Sequence, residues 1–406
     1  MMWRKVKLGD IAEFSNGINF DKGAYSKGVK LINVSNFGNR FSPEYDSLDE
    51  IKGEVVRNND LLSTGDIVFV RSNGNKELVG RCMLIDNPPE KVTYSGFCIR
   101  ARFKDTTDHD PVFWTYHFKN MAFRRAMSGT AIGANIQNLS QGRLAVYETM
   151  VPNIEGQKRI ANILSAYDNL IENNQKQIKL LEEAAQRLYK EWFIDLRFPG
   201  HEDVAIVDGV PEGWEKDKAE RFFNITIGKT PPRAEKQWFV NGNDGVPWLS
   251  ISDMGISGVY SFTTSEGLTQ EAVKKHNMKV VPAGTIFVSF KLTVGRVSIA
   301  TTDMCTNEAI AHFYIDDDFK QAYTYCYLNN FEYDTLGNTS SISKAVNSKI
   351  IKAMPFVMPD EATILAFDRI VEPILKEIKN KQIACIKLKE ARDRLLPKLM
   401  SGEIEV

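Results

Sequence analysis

"VPNIEGQKRIANILSAYDNLI" (residues 151–171) and "MPDEATILAFDRIVEPILKEI" (358–378) are two versions of one pattern. Each begins with a proline after a short apolar run, passes through a polar turn and enters an amphipathic helix. The two prolines, Pro152 and Pro359, lie 207 residues apart in a chain of 406 residues. A repeat at half the chain length indicates two copies of one domain rather than an array of short repeats.

The repeat also extends upstream of both helices. Three pairs of segments recur in the same order: "VKLINVSNFG" (29–38) with "VPWLSISDMG" (246–255), "LLSTGDIVFVRSNGNKELVGRCMLI" (61–85) with "KVVPAGTIFVSFKLTVGRVSIA" (279–300), and "SGTAIGANIQNLSQGRLAVYETMVP" (128–152) with "GNTSSISKAVNSKIIKAMPFVMP" (337–359). Short β-branched runs predict strands at 67–70, 81–85, 96–103, 286–290, 296–300 and 309–315. Helical patterns cover 111–127 and 319–331. Each copy is therefore predicted to be a mixed α/β domain followed by one long helix.

The two long helices carry a heptad seam, because their seam positions alternate in steps of four and three residues. In the first helix we assign to this seam Ile160, Leu164, Tyr167, Ile171, Asn174, Ile178 and Leu181; in the second, Phe367, Val371, Ile374, Ile378, Lys381, Leu388 and Leu395, with Cys385 and Arg392 at the intervening steps. Asn174 and Lys381 occupy the same position of the repeat, where a polar residue often fixes the register of a coiled coil. The alternative is that each helix packs only on its own domain.

We predict two similar domains separated by two long helices that form an antiparallel coiled coil, with a pseudo-two-fold arrangement. The predicted boundaries are 1–152 for the first domain, 153–195 for the first helix, 196–358 for the second domain and 359–406 for the second helix.

The composition is that of an ordinary globular protein, with 43% hydrophobic and 25% charged residues. No run approaches the roughly 18 apolar residues of a membrane span, so we expect a cytoplasmic protein with no membrane partner. The five cysteines form no CxxC pair, which disfavours a structural zinc site. HExxH, GxSxG and a complete P-loop are all missing from the sequence. We therefore expect a chain that is not an enzyme and binds no metal or cofactor itself.

Two similar domains on a long spacer suit an elongated target such as double-stranded DNA. The net charge is only −1, but residues 71–143 contain 11 Lys and Arg against 6 Asp and Glu. Arginine and lysine pair with guanine edges, asparagine and glutamine pair with adenine edges, and basic residues also hold phosphates. The candidate DNA-binding residues are Arg71, Asn73, Asn75, Lys76, Arg81, Arg102, Asn135, Gln137, Lys229, Arg233, Lys291, Thr293, Arg296 and Lys344.

The order and duplication of these motifs resemble the specificity (S) subunits of type I DNA restriction–modification systems. The resemblance covers nearly the whole chain and includes "WRKVKLGDIAEFSNG" (3–17), "LLSTGDIVFV" (61–70), "VPAGTIFVSF" (281–290), "SGTAIGANIQNLS" (128–140) and "LLPKLMSGE" (395–403).

The resemblance implies a non-catalytic subunit whose two target-recognition domains read a bipartite DNA site. It also implies that methyltransferase subunits, expected to be two, dock on the helices and that a restriction and translocase subunit joins them. Adenine methylation with S-adenosylmethionine and DNA cleavage driven by ATP with magnesium would belong to those partners. Two half-sites and two methyltransferases would explain why the reader and its helix are duplicated together.

Two other classes of function compete with this interpretation. The chain could be a two-domain interaction scaffold that binds protein or carbohydrate, which its nearly neutral net charge favours slightly. It could also be an enzyme with an unrecognised site in one domain, although the similarity of the two copies argues against a catalytic role for only one of them.

Overall fold

The computed structural model describes residues 2–38, 40–72, 78–128, 138–242, 244–336 and 346–406. The chain divides into two compact units. Unit 1 comprises Met1–Ile171 and Lys387–Val406, and unit 2 comprises Glu172–Ile386. Both long helices cross the division, so each unit contains one part of each helix.

Unit 1 is a mixed α/β domain. Its elements are β1 (Trp3–Lys7), α1 (Leu8–Ile11), β2 (Ala12–Asn16), β3 (Tyr25–Ile32), β4 (Asp49–Ile51), β5 (Ile67–Val70), β6 (Cys82–Leu84), β7 (Val92–Tyr94), β8 (Cys98–Phe103), α2 (Pro111–Lys119), α3 (Met121–Ser128), α4 (Gln141–Ala145) and β9 (Glu148–Pro152). The main sheet is antiparallel with the order β2-β8-β5-β6, and a second sheet has the order β4-β3-β7 with β3 parallel to β7. Strands β1 and β9 form a separate antiparallel pair, which brings the start of the domain next to the segment that enters the first long helix.

The first long helix, α5, begins at Ile154 and ends at Tyr189, and a wider π-helical turn continues it to Ile194. Unit 2 follows with β10 (Ile206–Val207), β11 (Val210–Pro211), β12 (Glu215–Lys218), α6 (Ala219–Phe222), β13 (Ile225–Ile227), β14 (Phe239–Asn241), β15 (Val246–Leu249), α7 (Ile251–Ser257), β16 (Tyr260–Ser261), β17 (Glu266–Leu268), α8 (Gln270–Lys275), β18 (Ile286–Ser289), β19 (Val297–Ala300), β20 (Cys305–Thr306), β21 (Ile310–Phe313), α9 (Gln321–Asn330), α10 (Ser348–Lys352), β22 (Pro355–Met358) and α11 (Glu361–Ser401).

Unit 2 repeats the topology of unit 1. The order β13-β21-β18-β19 reproduces β2-β8-β5-β6, and the pair β12–β22 reproduces β1–β9. In the second sheet, β15 is antiparallel to β17 and parallel to β20, as β3 is to β4 and β7. Strands β14 and β16 are additions at the sheet edges of unit 2. The predicted mixed α/β fold with two similar domains is confirmed.

The strands form where the sequence is β-branched and aromatic. Strand β5 reads IVFV and all four of its side chains are buried, because the main sheet of unit 1 is covered on both faces. One face packs on α2 and α5, with Phe69 and Trp114 at the centre. Strand β18, which reads IFVS, is equally buried in unit 2.

The helix predicted at 111–127 is in fact two helices. Helix α2 ends at Lys119, and Asn120 adopts an extended backbone. The side chain of Asn120 accepts a hydrogen bond from the backbone N–H of Ala122 at 3.2 Å, so this residue caps the start of α3. The patch predicted at 319–331 is one helix, α9, and is confirmed.

The long helices meet in antiparallel order within each unit. In unit 1, Ile160 and Leu164 near the start of α5 share a core with Leu399 and Met400 near the end of α11. In unit 2, the rings of Trp192 and Phe193 near the end of the first helix lie 5.7 and 5.0 Å from the ring of Phe367 near the start of the second. The prediction that the two helices pair in opposite directions is confirmed, and the alternative of two separately packed helices is wrong.

Burial varies along the assigned seam. Ile160, Leu164, Ile171, Phe367, Val371 and Ile378 are buried, while Tyr167, Asn174, Ile178, Leu181, Ile374, Lys381, Leu388 and Leu395 are half-buried. The buried apolar face of α11 is wider than the heptad seam, since Ile364 and Leu375 are also buried in the core of unit 2. Within the described residues, no helix is both long enough and apolar enough to span a bilayer.

Candidate nucleic-acid interface

One backbone crossing occurs at the same place in both units. In unit 1, the chain leaving β2 crosses the turn before β8: Gly17 N–H donates to the carbonyl of Cys98 at 3.1 Å and Ile18 N–H to that of Tyr94 at 3.0 Å. In unit 2, Gly228 N–H donates to the carbonyl of Ile310 at 3.1 Å and Lys229 N–H to that of Thr306 at 3.0 Å. The crossing therefore joins the same two segments in each unit by the same pair of hydrogen bonds.

Only glycine fits at this crossing. A Cβ on Gly17 would overlap the carbonyl oxygens of Tyr94 and Ser95, and a Cβ on Gly228 would overlap the carbonyl of Asn307 and the hydroxyl of Thr306. The absence of a side chain lets the two backbones approach each other closely. The sequence analysis did not predict a role for either glycine. The available signal was their position, since Gly17 directly follows β2 and Gly228 directly follows the equivalent strand β13.

A second duplicated feature closes the loop that follows the central strand. Val70 N–H donates to the carbonyl of Arg81 at 2.8 Å, and Ser289 N–H donates to that of Arg296 at 2.9 Å. Gly80 and Gly295 turn the chain back with φ of +78° and +86°, a backbone region that favours glycine. The repeated Val-Gly-Arg is thus the segment in each unit where the loop ends and the chain turns back towards the sheet.

The loop and the crossing lie side by side in each unit. Arg71 N–H donates to the carbonyl of Phe97 at 2.8 Å, and Phe290 N–H donates to that of Ala309 at 2.9 Å. Both loops therefore emerge beside the turn that the glycine segment crosses. We call this region the loop end of a unit: the described residues 16–19, 71–72, 78–81 and 94–98 in unit 1, and residues 227–233, 290–296 and 306–310 in unit 2.

The side chains at the two loop ends differ although the same backbone hydrogen bonds recur at the crossing and at the base of the loop. At the turn, unit 1 has Gly96 and an exposed Phe97, where unit 2 has Glu308 and a buried Ala309. Such a constant scaffold with variable side chains can present two different recognition surfaces.

The loop end of unit 2 brings together three of the sequence-predicted cations. Burial alone would raise the pKa of the Glu308 carboxyl, but a hydrogen bond from the Thr230 hydroxyl and the charges of Lys291 and Arg233 hold this pKa below its usual value. Lys229 is exposed in the same segment, and its ammonium donates to the carbonyl of Asn277 at 3.2 Å.

Arg233 is fixed in place by its surroundings. Its guanidinium carbon lies 4.4 Å from the ring centroid of Phe239 and 4.5 Å from that of Trp248. One guanidinium nitrogen donates to both carboxylate oxygens of Glu266, at 2.9 and 2.7 Å. A guanidinium stacked on aromatic rings keeps an open face in a defined orientation.

Arg71 and Arg296 support the loops that they flank. The guanidinium of Arg71 donates to the carbonyl of Gly96 at 3.1 Å, and that of Arg296 donates to the carbonyl of Ile251 at 2.6 Å. Thr293 is exposed, and its carbonyl accepts a hydrogen bond from the Ser289 hydroxyl at 2.6 Å.

Arg81 and Arg102 lie outside the cluster of exposed cations. Arg102 forms a two-pronged ion pair with the buried Asp66, with N–O distances of 2.7 and 2.6 Å, and this partner raises the pKa of the arginine. Arg81 is half-buried and lines a cavity with Phe41 and Tyr116. The ion pair with Asp66 is sufficient to explain Arg102 as a residue that stabilises the fold.

Six of the predicted DNA-binding residues lie outside the described residues: Asn73, Asn75, Lys76, Asn135, Gln137 and Lys344. The DNA contacts assigned to all fourteen residues remain predictions.

The model of the type I restriction modification DNA specificity domain matches the chain twice, at residues 2–183 and 211–388. The chain is 28% identical to the specificity subunit of type I restriction enzyme MjaIX from Methanocaldococcus jannaschii over 72% of this chain and 68% of that protein. It is 24% identical to the specificity subunit of type I restriction enzyme HindI from Haemophilus influenzae over 99% of both chains.

The fold is also similar to a crystal structure. The S subunit of a type I restriction–modification system from M. genitalium superposes with a TM-score of 0.57, at 15% sequence identity and over 98% of this chain and 96% of that one. The two-unit fold with long helices is therefore a fold found among such S subunits.

Proposed function

This chain belongs to the type I restriction modification DNA specificity domain family, and from that premise we propose that it is the specificity subunit that selects the DNA site of a type I restriction–modification system. Each unit reads one half of a bipartite site on double-stranded DNA. The duplicated crossing of Gly17 and Gly228 carries this proposal, because it joins the same two segments in each unit while the side chains beside it differ.

The exposed cations of unit 2 support contact with a polyanion. Lys229, Arg233 and Lys291 are all exposed at the loop end of that unit. Lysine and arginine side chains of this kind hold phosphates and place neighbouring loops against the base edges. The negative charge of Glu308, close to Lys291 and Arg233, is suited to accepting a hydrogen bond from the N4 amino group of cytosine.

The chemistry of the system belongs to its other subunits in this proposal. Two methyltransferase subunits dock on the helix pair, and a restriction and translocase subunit joins them. S-adenosylmethionine, ATP and magnesium are bound by those partners, and this chain supplies the choice of site. A scaffold that binds protein or carbohydrate instead has no specific observation in its favour, since its main support was the nearly neutral net charge.

Methylome mapping tests the proposal directly. We would sequence the genome of a host with the complete system, of one lacking this chain and of one complemented with it, and record methylated adenines. The expected result is a bipartite motif of two short half-sites that disappears without the chain and returns on complementation. A motif that persists without the chain would contradict the proposal.

Binding in solution provides the second measurement. The assembled methyltransferase complex should bind DNA carrying that motif more tightly than a shuffled duplex, and its affinity should fall steeply as salt rises. Equal affinity for both duplexes at every salt concentration would overturn the assignment of site choice to this chain.

A further inference from the structure

Leu292 stands at the tip of the loop between β18 and β19, and its side chain is 96% exposed. Its φ is +62°, in the left-handed region that bulky residues rarely occupy. Exposed single leucines are common and need no explanation by themselves. A leucine that is fully exposed and also held in an unfavourable backbone conformation is a different case, because its side chain contributes no burial that could offset the strain.

The loop below this residue is firmly held. The hydroxyl of Ser289 donates to the carbonyl of Thr293 at 2.6 Å and accepts from the N–H of Arg296 at 3.0 Å. Gly295 N–H returns a bond to the carbonyl of Ser289 at 2.8 Å. The Arg296 guanidinium ties the end of the loop to α7 through the carbonyl of Ile251 at 2.6 Å. These hydrogen bonds fix the base of the loop and therefore the position of its tip.

The surroundings of the tip suit nucleic acid better than a protein or lipid surface. Lys291 directly precedes Leu292 and is exposed, and its charge reaches Glu308 together with that of Arg233. An apolar tip with cations beside it has the chemistry of DNA-bending proteins, in which an apolar side chain enters between stacked bases while basic residues hold the flanking phosphates.

We propose that Leu292 is a wedge residue that enters between two adjacent base pairs in the half-site bound by unit 2. The inference rests on the proposed function and adds to it a deformation of the DNA as a source of specificity. Steps that unstack easily, such as pyrimidine–purine steps, would be preferred at the position of the wedge. The strained, exposed leucine gains burial only when the DNA is bound.

The test uses the assembled methyltransferase complex and a duplex that carries its methylation motif. The fluorescent base 2-aminopurine is placed in turn at each step of both half-sites, leaving out the adenines that become methylated, because methyltransferases turn their target base out of the helix. Binding by the wild-type complex should raise the fluorescence at one step of one half-site, which reports local unstacking.

Leu292→Ala should remove that rise and weaken binding by about tenfold, while Leu292→Phe, which keeps a large apolar tip, should retain it. Ile256→Ala is the matched control, because Ile256 is 88% exposed in the same unit and is not part of the loop. This control should leave both fluorescence and affinity unchanged.

The outcomes separate the wedge from the proposed function. A fluorescence rise that survives in Leu292→Ala, or no rise at any step in a wild-type complex that still prefers its motif, overturns the wedge and leaves site selection standing. A wild-type complex without preference for its motif overturns the proposed function itself. If Leu292→Ala instead prevents assembly of the complex, the residue contacts a protein partner and the wedge is wrong.

Discussion

Gly17 and Gly228 are the residues on which both loop ends depend. Each lies where one backbone segment passes over another, and each donates its N–H to a carbonyl of the strand that follows the turn, at 3.1 Å in both units. Because a Cβ at either position would overlap backbone oxygen, the position tolerates no other residue without movement of the turn. In the proposed function, these glycines position the loops that contact DNA.

Gly17→Ala and Gly228→Ala should therefore destabilise the protein by about 1–3 kcal/mol each, as overpacking of a tight contact does. Thermal unfolding of the purified chain would measure this loss. Gly23→Ala is the matched control, because nothing lies within 4 Å of a Cβ at that position. A loss from Gly23→Ala as large as that from Gly17→Ala would contradict the steric explanation.

Each unit contains a buried histidine whose pKa is lowered. His117 lies in the aromatic core of unit 1, and burial lowers its pKa from 6.5 to about 4. His312 in unit 2 lies between Thr226 and Thr306, at 2.9 and 2.6 Å from their hydroxyls, and burial lowers its pKa to about 4 as well. Both are neutral in the folded protein near pH 7.

The free energy of unfolding should fall as the pH drops from 6.5 towards 4. In that window the unfolded chain binds a proton on each histidine while the folded chain does not, so acid favours unfolding by at most about 3 kcal/mol per histidine. His117→Phe should reduce the difference in melting temperature between pH 7 and pH 5, and His201→Gln, at a half-exposed position, should not. An unchanged difference in His117→Phe would contradict this account.

At the scale of elements, the helix pair is held by different interactions in the two units. In unit 1, Asp168 joins the helices through its ion pair with Arg392 and accepts a hydrogen bond from Tyr116 at 2.5 Å. In unit 2, Phe367 packs among aromatic rings at the end of the first helix. The ion pair is half-buried on both sides, with 25% and 23% of the side chains exposed, so the cost of removing its charges from water offsets much of their attraction.

Phe367→Ala should cost about 3–5 kcal/mol, because it leaves a cavity in a fully buried aromatic cluster. Calorimetry on the full chain would measure the lowered melting temperature of unit 2. Ile370→Ala lies on the same helix at a side chain that is 47% exposed, and should change stability by less than about 0.5 kcal/mol. Equal effects of the two substitutions would show that the assigned seam is wrong.

At the scale of the whole molecule, the duplicated topology makes the two units independent readers in the proposed function. Each unit has its own main sheet and its own loop end, and the strand orders β2-β8-β5-β6 and β13-β21-β18-β19 correspond one to one. Because the side chains at the two turns differ, a substitution at one loop end should affect the half-site read by that unit and not the half-site read by the other.

Lys291→Ala should weaken recognition of one half-site only, and Arg71→Gln should weaken recognition of the other. Competition with duplexes that carry substitutions in a single half-site would measure the effect on the assembled complex. The salt dependence of binding should also decrease by about one ion for Lys291→Ala. Lys216→Ala, at an exposed lysine on β12, is the control, and a loss on both half-sites from Lys291→Ala would contradict separate readers.

The sequence by itself determined the duplication, the α/β class and the antiparallel helix pair. These follow from order and periodicity: Ile160, Leu164, Phe367 and Val371 are buried because a heptad seam exposes too much apolar surface to stand alone. The break at Asn120 escaped the pattern, because a single capping residue interrupts a segment whose helical pattern continues on both sides.

Only the tertiary structure decided which side chains are available at the candidate site. From the sequence, Arg102 and Lys291 were equally good candidates for DNA contact. In the structure, sheet pairing brings Asp66 next to Arg102, and the two form an ion pair. Lys291 is exposed beside the tip of a loop. The strained position of Leu292 and the close crossing at Gly17 are likewise invisible in local patterns. The physical reason is that periodicity reports which face of an element is buried, whereas the partner of a polar group and the space around a backbone depend on segments far apart in the chain.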